Sequence, residues 1–347
     1  MPSQTNPAGI KALDRAGLQA LVAELGEARF RATQLEHWLY GRAACSFAEM
    51  TDLPAALRAT LAGRLALPCP EVLQVQRSSD GSRKYLVGLG DGSAIETVGL
   101  PVGGRLTVCF STQAGCAMGC SFCATGLGGL VRDLGPGEMV DQVNLVASDF
   151  ARRVTNVVAM GQGEPFANYD AVLGALRFMN APDVLGIGAR HITVSTCGLL
   201  GGIRRFAAEP EQFTLAVSLH SAVQSTRDRL MPGVRGVSLA ALRESLVEYA
   251  ETTGRRPSLE YALVAGVNDT DGELAALIAF CRGLLVHVNL IPVNSVAESG
   301  LTRSGDSRIH AFESSLRAAG IEASTRVERG TDIDAACGQL RQRAGSR

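Results

Sequence analysis

Three closely spaced cysteines are the clearest sign of chemical function in this sequence. Cys116, Cys120 and Cys123 follow a CxxxCxxC pattern within the stretch GCAMGCSFCATG. Iron–sulfur clusters are held by cysteine thiolates, usually by four of them. Three thiolates on one loop therefore predict a [4Fe–4S] cluster with one open iron, whose last ligand comes from a substrate or a cofactor. We expect such a site to be catalytic.

Zinc is the competing interpretation of these cysteines. A structural zinc site usually draws on two paired units of the CxxC type, and the sequence contains neither a second CxxC nor an HxxxH pair. No two histidines lie at metal-ligand spacing, so we interpret His37, His191, His287 and His310 as structural. The pattern favours iron–sulfur over zinc.

Length and composition set the frame for this site. With 347 residues and 46% hydrophobic content, the chain can bury a large core and form one large domain with a smaller one. It shows no signal-peptide pattern and no apolar run of roughly 20 residues, which predicts a cytoplasmic protein without a membrane span. The net charge of −1 gives no general support for a nucleic-acid partner, although a local basic face is compatible with it.

The remaining cysteines bear on the redox compartment. Nine cysteines, an odd number without a secretory pattern, argue against a disulfide framework and for a reducing environment. Cys45, Cys69, Cys197 and Cys281 stand singly in apolar or helical surroundings. We therefore expect each of these four to be a small core residue.

The chain changes texture twice, which predicts three regions. Residues 1–68 have helical periodicity, with Thr51, Asp52 and Pro54 as a start signal for the last helix, and we expect them to form an N-terminal RNA-binding domain. Residues 69–103 alternate as short strands around turn sequences, which predicts a small antiparallel β region. Residues 104–347 alternate strand and helix patterns, which is typical of a parallel sheet with right-handed crossovers.

This α/β rhythm favours a partial or complete (β/α) barrel over an open doubly wound sheet. In such barrels the active site lies at the carboxyl ends of the strands. Polar residues follow the predicted strands at that end, and they are Gly163-Glu164, Ser195, Ser218-His220 and Asn294. We expect them to surround the cysteine loop.

The cysteine loop, with Phe122 directly before its third cysteine, resembles the radical S-adenosylmethionine (SAM) superfamily. That resemblance implies a partial (β/α) barrel of radical SAM type, in which the methionine part of SAM chelates the open iron and one-electron transfer yields a 5′-deoxyadenosyl radical. The stretch MGQGEPFANYD, at 160–170, resembles the turn by which this superfamily contacts the cofactor amino group.

Further motifs resemble one family, the RlmN/Cfr-type RNA adenine methyltransferases. Its most specific signature is RGTDIDAACGQL at 329–340, and the N-terminal FRATQLEHWLYGR at 30–42 matches as well. The resemblance implies methylation of carbon 2 of adenine 2503 in 23S rRNA, and of adenine 37 in certain tRNAs, with two SAM molecules consumed per turnover. Matched by motif, the SAM contacts are Gly163, Glu164, Ser195, Ser218, Leu219, His220 and Asn294.

The chemistry of adenine fits a role for further cysteines. Ring carbons 2 and 8 are poor nucleophiles, so a radical route is required. A cysteine outside the cluster can be methylated on sulfur, lose a hydrogen atom to the radical and add its methylene carbon to the ring. Cys337, in a polar and glycine-flanked segment, fits that role. The resemblance then implies Cys109 as the resolving thiol, through a transient disulfide with Cys337, and Glu96 as the base that removes the ring proton.

Partners follow from the same resemblance. The N-terminal helices and the β region are expected to grip RNA, because enzymes that act on a base must take it out of its stack. Candidate phosphate contacts are Arg29, Arg31, Arg42, Arg83 and Lys84. The expected electron donor is flavodoxin or ferredoxin, and we expect a monomer.

Some alternatives stay open at this point. Carbon-8 methylation of the same adenine uses the same cysteines, and Asp133 and Val293 replace an asparagine and a tryptophan common in relatives, which leaves room for another RNA target. A radical enzyme acting on a protein or a small molecule would need the cluster without Cys109 and Cys337. A non-catalytic RNA-binding homologue would need none of the cluster cysteines.

Overall fold

The computed structural model describes residues 9–294, 299–335 and 338–340. Its N-terminal part is helical, as predicted. The first helix, α1, is capped by Asp14, whose carboxylate accepts the Gly17 amide at 2.8 Å. The helices of this part are α1 (Arg15–Glu24), α2 (Phe30–Glu36), which continues as a π-helical turn (His37–Gly41), and α3 (Ala55–Arg64). The last of them begins directly after Pro54, where the sequence signal placed it.

One ten-stranded sheet organises the rest of the described chain. Its antiparallel part consists of β1 (Glu71–Arg77), β2 (Arg83–Gly88), β3 (Ala94–Val102) and β4 (Arg105–Cys109). The strands β5 (Gln113–Gly115) and β6 (Leu130–Asp133) form a separate two-stranded hairpin. The parallel part continues from β4 through β7 (Asn156–Ala159), β8 (Ile192–Thr196), β9 (Thr214–Ser218), β10 (Ser258–Leu263), β11 (His287–Pro292) and β12 (Glu322–Thr325).

The parallel strands confirm the α/β fold with a partial barrel. In the described chain the sheet runs from β1 at one edge to β12 at the other without closing. The expected small antiparallel sheet is not a separate one, because β3 pairs with β4 across the two-residue turn Gly103-Gly104. The sheet therefore crosses the boundary that we expected after residue 103.

Helices follow the parallel strands and cover the sheet. They are α4 (Ala124–Leu127), α5 (Pro136–Asp149), α6 (Tyr169–Asn180), α7 (Leu200–Ala208), α8 (Gln224–Leu230), α9 (Leu239–Thr253), α10 (Asp271–Cys281) and α11 (Asp306–Ala318). The sheet core is made of β-branched and aliphatic side chains such as Val157, Val194 and Val288, as expected for strands covered by helices. In the part that the structure describes, no helix has the length and apolarity needed to cross a bilayer.

The N-terminal helices are fastened to the barrel by a buried ion pair. The Lys11 ammonium lies 2.8 and 2.7 Å from the two carboxylate oxygens of Asp141 on α5, and both side chains are buried. Gly137 on the same helix makes this approach feasible, since a Cβ there would lie 2.6 Å from the Lys11 Cβ. The helical unit is thus held against the face of α5.

Candidate active site

The three cysteines of the CxxxCxxC loop face one cavity. They connect β5 to α4, and the cavity that they line has a volume of about 150 Å³. The loop is fixed by main-chain hydrogen bonds from Cys116 to Gly129, from Ser121 to Leu230 and from Gly233 to Met118. Its shape is therefore set by elements on two sides.

Burial makes these thiols poor acids on their own. It raises the pKa of Cys116 to about 12 and also raises the pKa of Cys123. Ligand thiols must be deprotonated, so the thiolates form when a cation compensates the lost hydration. These buried thiols are therefore expected to ionise only when they bind a metal cation.

The positions of the three thiols bear on the kind of metal group that the loop could hold. Among the residues described, no three Cys, His, Asp or Glu side chains converge closely enough to hold one metal ion. In a [4Fe–4S] cluster each cysteine thiolate binds its own iron atom, so three thiols that line the wall of one cavity suit such a cluster. The arrangement of these thiols around one cavity fits a [4Fe–4S] cluster.

The carboxyl ends of the parallel strands form the rest of the cavity wall, as predicted. The sequence-predicted residues that line it are Gly163, Glu164, Ser195, Ser218, His220 and Asn294. Leu219 is the exception, because its side chain is fully buried in the hydrophobic core. Its main-chain amide donates to the Glu260 carbonyl at 3.0 Å, which orients the flanking residues.

Glu164 is held as a buried acceptor at the cavity. Its two carboxylate oxygens accept the amides of Phe166 at 3.0 Å and Cys197 at 2.6 Å. Burial raises its pKa, and these hydrogen bonds oppose that rise. The preceding Gly163 has φ +104, and a Cβ there would lie 2.7 Å from the side chains of Thr112 and Gln113. Only glycine lets this turn approach the neighbouring strand so closely.

His220 is neutral and strained. Its Nδ1 accepts the Ala262 amide at 2.9 Å, which leaves Nε2 to carry the ring proton. Burial, together with the positive charge of Arg227, lowers its pKa to about 3. Its backbone has φ +55, an unusual conformation for a residue other than glycine and one that is often found at functional sites. The Phe122 ring packs edge-on against it with centroids 4.6 Å apart.

The sequence reasoning missed several cavity residues, among them Cys197, Glu260 and Arg326. Cys197 lines the cavity and is half-buried, so it is not the core residue that we expected. Glu260 and Arg326 line it as well. Glu260 is buried in β10, where its carboxylate accepts Ser258 and Asn289. An acidic residue inside the apolar run PSLEYALV was the signal that could have revealed it.

A second cavity of about 190 Å³ adjoins the first. The two share Met160, Ile291, Asn294 and Arg326 as lining residues. Cys109 lies on the wall of this second cavity, at the end of β4. The predicted resolving thiol therefore lies in the cavity beside that of the cysteine loop. The side chains that line both cavities lie between the two.

Glu96 lies on the strand beside Cys109. Val98 pairs with Cys109 across β3 and β4, so Glu96 is a diagonal neighbour on the same face, at roughly 7–8 Å between Cα atoms. The Glu96 carboxylate is buried and lies 3.2 Å from the Lys84 ammonium, which also donates to the Asp334 carbonyl at 3.1 Å. Lys84 thus joins the predicted base to the C-terminal segment.

This position overturns one expectation about RNA. Lys84 is buried, so it is not available for a phosphate. Arg83 is committed to Asp149 at 2.7 Å, and Arg31 bonds to Gln34 and the Asp52 carbonyl. The exposed members of the predicted set are Arg29 and Arg42.

The predicted methyl-carrying cysteine, Cys337, lies outside the described residues, but the chain on both sides of it is described. Ala335 and Leu340 pack in one apolar cluster with Cys109. The Ala124 amide donates to the Gly338 carbonyl at 2.7 Å, and the Thr125 hydroxyl donates to the Leu340 carbonyl at 2.7 Å. These contacts join the segment to both the cysteine loop and Cys109, the predicted resolving thiol.

Two of the remaining cysteines differ from expectation. Cys45 and Cys69 form a disulfide with Cα atoms 5.3 Å apart, and both are exposed. The prediction that they are separate core residues is wrong, because the loop after α2 and the chain after α3 meet at the surface. Cys281 is buried in the core, as expected.

Two family models match parts of this chain, and a solved structure matches nearly its whole length. Residues 110–281 match the family model of the radical SAM superfamily, and residues 9–67 match that of the ribosomal RNA large subunit methyltransferase N-terminal domain. A crystal structure of a radical SAM methyltransferase from Sphaerobacter thermophilus superposes with a TM-score of 0.90 at 45% identity, covering 98% of this chain and 100% of that one. The fold and the site thus define a radical SAM methyltransferase, a class that implies SAM and a [4Fe–4S] cluster.

Curated relatives narrow the class further. The probable dual-specificity RNA methyltransferase RlmN of Pelotomaculum thermopropionicum is 46% identical over 336 residues, which cover 96% of this chain and 91% of that protein. The protein of the same name from Geobacillus kaustophilus is 47% identical, covering 92% of this chain and 88% of its own length. The chain belongs to the RlmN family of RNA methyltransferases.

Proposed function

We propose that this protein methylates carbon 2 of an adenine in 23S rRNA, the family target being adenine 2503, and also adenine 37 of tRNA. Its relatives carry the name dual-specificity RNA methyltransferase, which supports two RNA substrates. Because both RNA substrates are cytoplasmic, we infer the same location for the protein. We further propose that it acts as a monomer and receives its electrons from flavodoxin or ferredoxin.

One observation carries this proposal. Cys109 packs against Ala335 and Leu340, which flank Cys337 in the sequence, and the same segment bonds to the cysteine loop. An enzyme that only generated a radical for a small molecule would have no need of a second thiol beside this segment. The proximity supports the chemistry of a methylated Cys337 that is later released by Cys109.

The described residues divide into two groups with different tasks. Cys116, Cys120 and Cys123 would hold the cluster, and Gly163, Glu164, Ser195, Ser218, Leu219, His220 and Asn294 would hold SAM. When bound, the cluster and SAM together supply a 5′-deoxyadenosyl radical that can remove a hydrogen atom from an S-methyl group. Glu164 offers a buried carboxylate for the cofactor's ammonium, while neutral His220 offers an Nε2 donor.

The remaining steps belong to the chain's own acid–base and thiol groups. Once the methylene carbon of Cys337 has bonded to the ring, the adduct must lose one electron, which the bound cluster would accept, and the proton on that ring carbon, which Glu96 removes. The Cys109 thiolate then attacks the Cys337 sulfur, so that an S–S bond forms and the bond between that sulfur and the methylene carbon breaks. The carbon keeps the electron pair of the broken bond and takes up a proton, which makes it the methyl group of the product. Lys84 forms an ion pair with the Glu96 carboxylate and also donates to the Asp334 carbonyl, so it links the predicted base to the C-terminal segment.

Replacing the resolving thiol tests this assignment. In a Cys109→Ala variant, the thioether between Cys337 and the RNA should form but persist, because no sulfur is present to release it. We expect a covalent protein–RNA species that resists denaturant, and at least a hundredfold loss of methyladenosine product. Gel electrophoresis with labelled RNA and mass spectrometry of the digested adduct measure both.

The matched control is Cys281→Ala, which removes a buried thiol from α10 outside both cavities and should give free product. A Cys109→Ala variant that methylates at the parental rate would contradict the resolving role. The substrate is tested separately, by mass spectrometry of 23S rRNA and tRNA from a deletion strain. Loss of 8-methyladenosine instead of 2-methyladenosine would reassign the carbon, and no change in either would refute the RNA target.

A further inference from the structure

A fully buried arginine lies against the turn that carries Cys197, one of the residues lining the cavity of the cysteine loop. Arg227, on α8, has a relative exposure of 0%. Its Nη2 donates to the Cys197 carbonyl at 2.7 Å, whereas Nε and Nη1 are buried and have no hydrogen-bond partner among the described residues. Burying a guanidinium in this way is costly, because the charge loses its hydration and gains one bond to a neutral carbonyl.

The groups around Arg227 do not include a carboxylate that pairs with it. Within the described part of the chain, no Asp or Glu oxygen forms a salt bridge with its guanidinium. The adjacent Asp228 accepts the Gln224 amide at 2.7 Å. The other groups that act on its charge are the thiols of Cys197 and Cys120. His220, whose pKa the charge of Arg227 helps to lower, is neutral.

The cysteine loop offers the missing negative charge. Cys120 is one of the three proposed cluster ligands, and Cys197 lines the same cavity. A [4Fe–4S] cluster held by three thiolates is anionic, and its one-electron reduction adds a further negative charge. Reduction potentials of such clusters depend on net charge and on nearby hydrogen bonds. A buried cation close to the cluster therefore favours the reduced form, and low dielectric surroundings strengthen this effect.

We propose that Arg227 is the buried cation that balances the charge of the cluster and raises its reduction potential. The inference rests on the proposed function, because it requires the cluster at Cys116, Cys120 and Cys123. Arg227 does not ligate iron. Its guanidinium holds the turn after β8 through the Cys197 carbonyl, and its charge acts on the cluster from the far side of that turn. Arg227 is therefore a residue that positions Cys197 and compensates the negative charge of the cluster.

A purely structural role is the alternative. Arg227 holds the turn after β8, where Gly198 has φ +99 and a Cβ would lie 3.1 Å from the Arg227 Nη2. If Arg227 served that turn alone, its replacement would lower stability without changing the electronic properties of a cluster that still assembles. The reduction potential separates the two roles.

The test compares reconstituted cluster proteins. Arg227→Met removes the charge while keeping much of the volume, Arg227→Lys keeps a cation, and Arg243→Met is the matched control. Arg243 likewise bonds to main-chain carbonyls, those of Phe280 and Arg282, but on α9 and outside the described cavity walls. Each protein is loaded anaerobically, its iron and sulfide are counted, and its cluster is titrated with EPR detection of the reduced form.

We expect Arg227→Met to lower the ratio of reduced to oxidised cluster about tenfold at a fixed applied potential, which for a one-electron couple equals about 59 mV. Arg227→Lys should stay near the parent, and Arg243→Met should match it. An Arg227→Met protein that titrates with the parent overturns the inference. The inference is also overturned if the reduction potential of Arg227→Lys falls as far as that of Arg227→Met.

Folding failure is covered by a second neutral variant. Arg227→Gln keeps a donor for the Cys197 carbonyl and is judged by the same tenfold criterion if Arg227→Met takes up no iron. Should both neutral variants stay empty while Arg227→Lys loads, the charge is required to hold the cluster, which supports the inference. If Lys stays empty as well, the role is structural and the inference fails. A parent protein that binds no cluster instead refutes the proposed function itself.

Discussion

Single residues at this site are tuned by burial more than by contact with opposite charges. His220 is the clearest case, since it is enclosed, accepts a main-chain amide on Nδ1 and faces the positive Arg227. Sequence reasoning placed it at the cofactor site from its motif. It could not show the neutral state, because His220 is enclosed in part by Ala262 on β10 and Phe122 in the cysteine loop, which are far from it in the sequence.

The neutral state of His220 predicts a dependence of stability on pH. Its folded pKa of about 3 lies below the usual 6.5, so its contribution is complete above pH 6.5 and declines as the pH falls toward 3. An Asn at this position can accept the Ala262 amide and tolerates positive φ. Between pH 6.5 and about pH 5, the free energy of unfolding of the cluster-free parent should fall roughly 2 kcal/mol more than that of His220→Asn.

Denaturant titrations of both proteins at the two pH values measure this difference. Parallel losses in parent and variant would show that His220 binds its proton equally in the folded and unfolded chains. Direct observation of the ring by NMR provides an independent check, since His220 should remain neutral at about pH 5.

At the scale of elements, the decisive contact is the one between the N-terminal helical unit and α5. Lys11 and Asp141 form an ion pair that is buried on both sides. Breaking one partner of a buried pair leaves an uncompensated charge, whereas replacing both with apolar side chains removes the problem.

Lys11→Met should therefore destabilise the protein by about 3–5 kcal/mol, and the double variant Lys11→Met with Asp141→Leu should recover most of that loss. Thermal and chemical unfolding of the two single variants and the double variant complete the cycle. Additive losses in the double variant would mean that the two side chains do not act as a pair.

The elements also show where sequence patterns reach their limit. The alternation of strand and helix patterns predicted over residues 104–347 is confirmed, and the helices α5, α6, α9, α10 and α11 follow it because their apolar residues recur with helical spacing. The helix α7 was missed, since Gly201 and Gly202 open it and glycine is a poor helix former. The reason for Gly202 lies in packing, as a Cβ there would come within 2.6 Å of the Phe166 ring. No local pattern contains that information.

Across the whole molecule, the antiparallel strands turn out to be part of the machinery that holds the C-terminal segment. The turn between β1 and β2 receives the tail, with the Gly330 amide donating to Asp80 at 3.1 Å and the Ser79 amide to Asp332 at 3.1 Å. Although partial burial opposes it, hydrogen bonds from Ser82, Ser78 and Gly330 lower the pKa of Asp80 to about 2. Sequence patterns predicted these strands but not their pairing with β4 or their contact with residues about 250 positions later, because neither is a local property.

RNA binding is predicted to depend on the two exposed arginines of the N-terminal unit. Arg29→Gln combined with Arg42→Gln should weaken binding of a 23S rRNA fragment, and the dependence of log affinity on log salt should become shallower by about one unit per lost phosphate contact. Arg83→Gln is the control, because its guanidinium is committed to Asp149. Affinities measured at several salt concentrations decide this, and an unchanged slope in the double variant would place the RNA elsewhere.

The closure of the tail over the cysteine loop has a consequence for biogenesis. The Thr125 hydroxyl bonds to a carbonyl 215 residues downstream, and the Ala124 amide bonds nearby. At translation rates of 5–20 residues per second, the loop leaves the ribosome roughly 10–40 seconds before these acceptors are made. During that interval the cysteine loop lacks both contacts with the tail. We therefore expect an iron–sulfur cluster to reach the three thiols more easily before the tail has docked than afterwards.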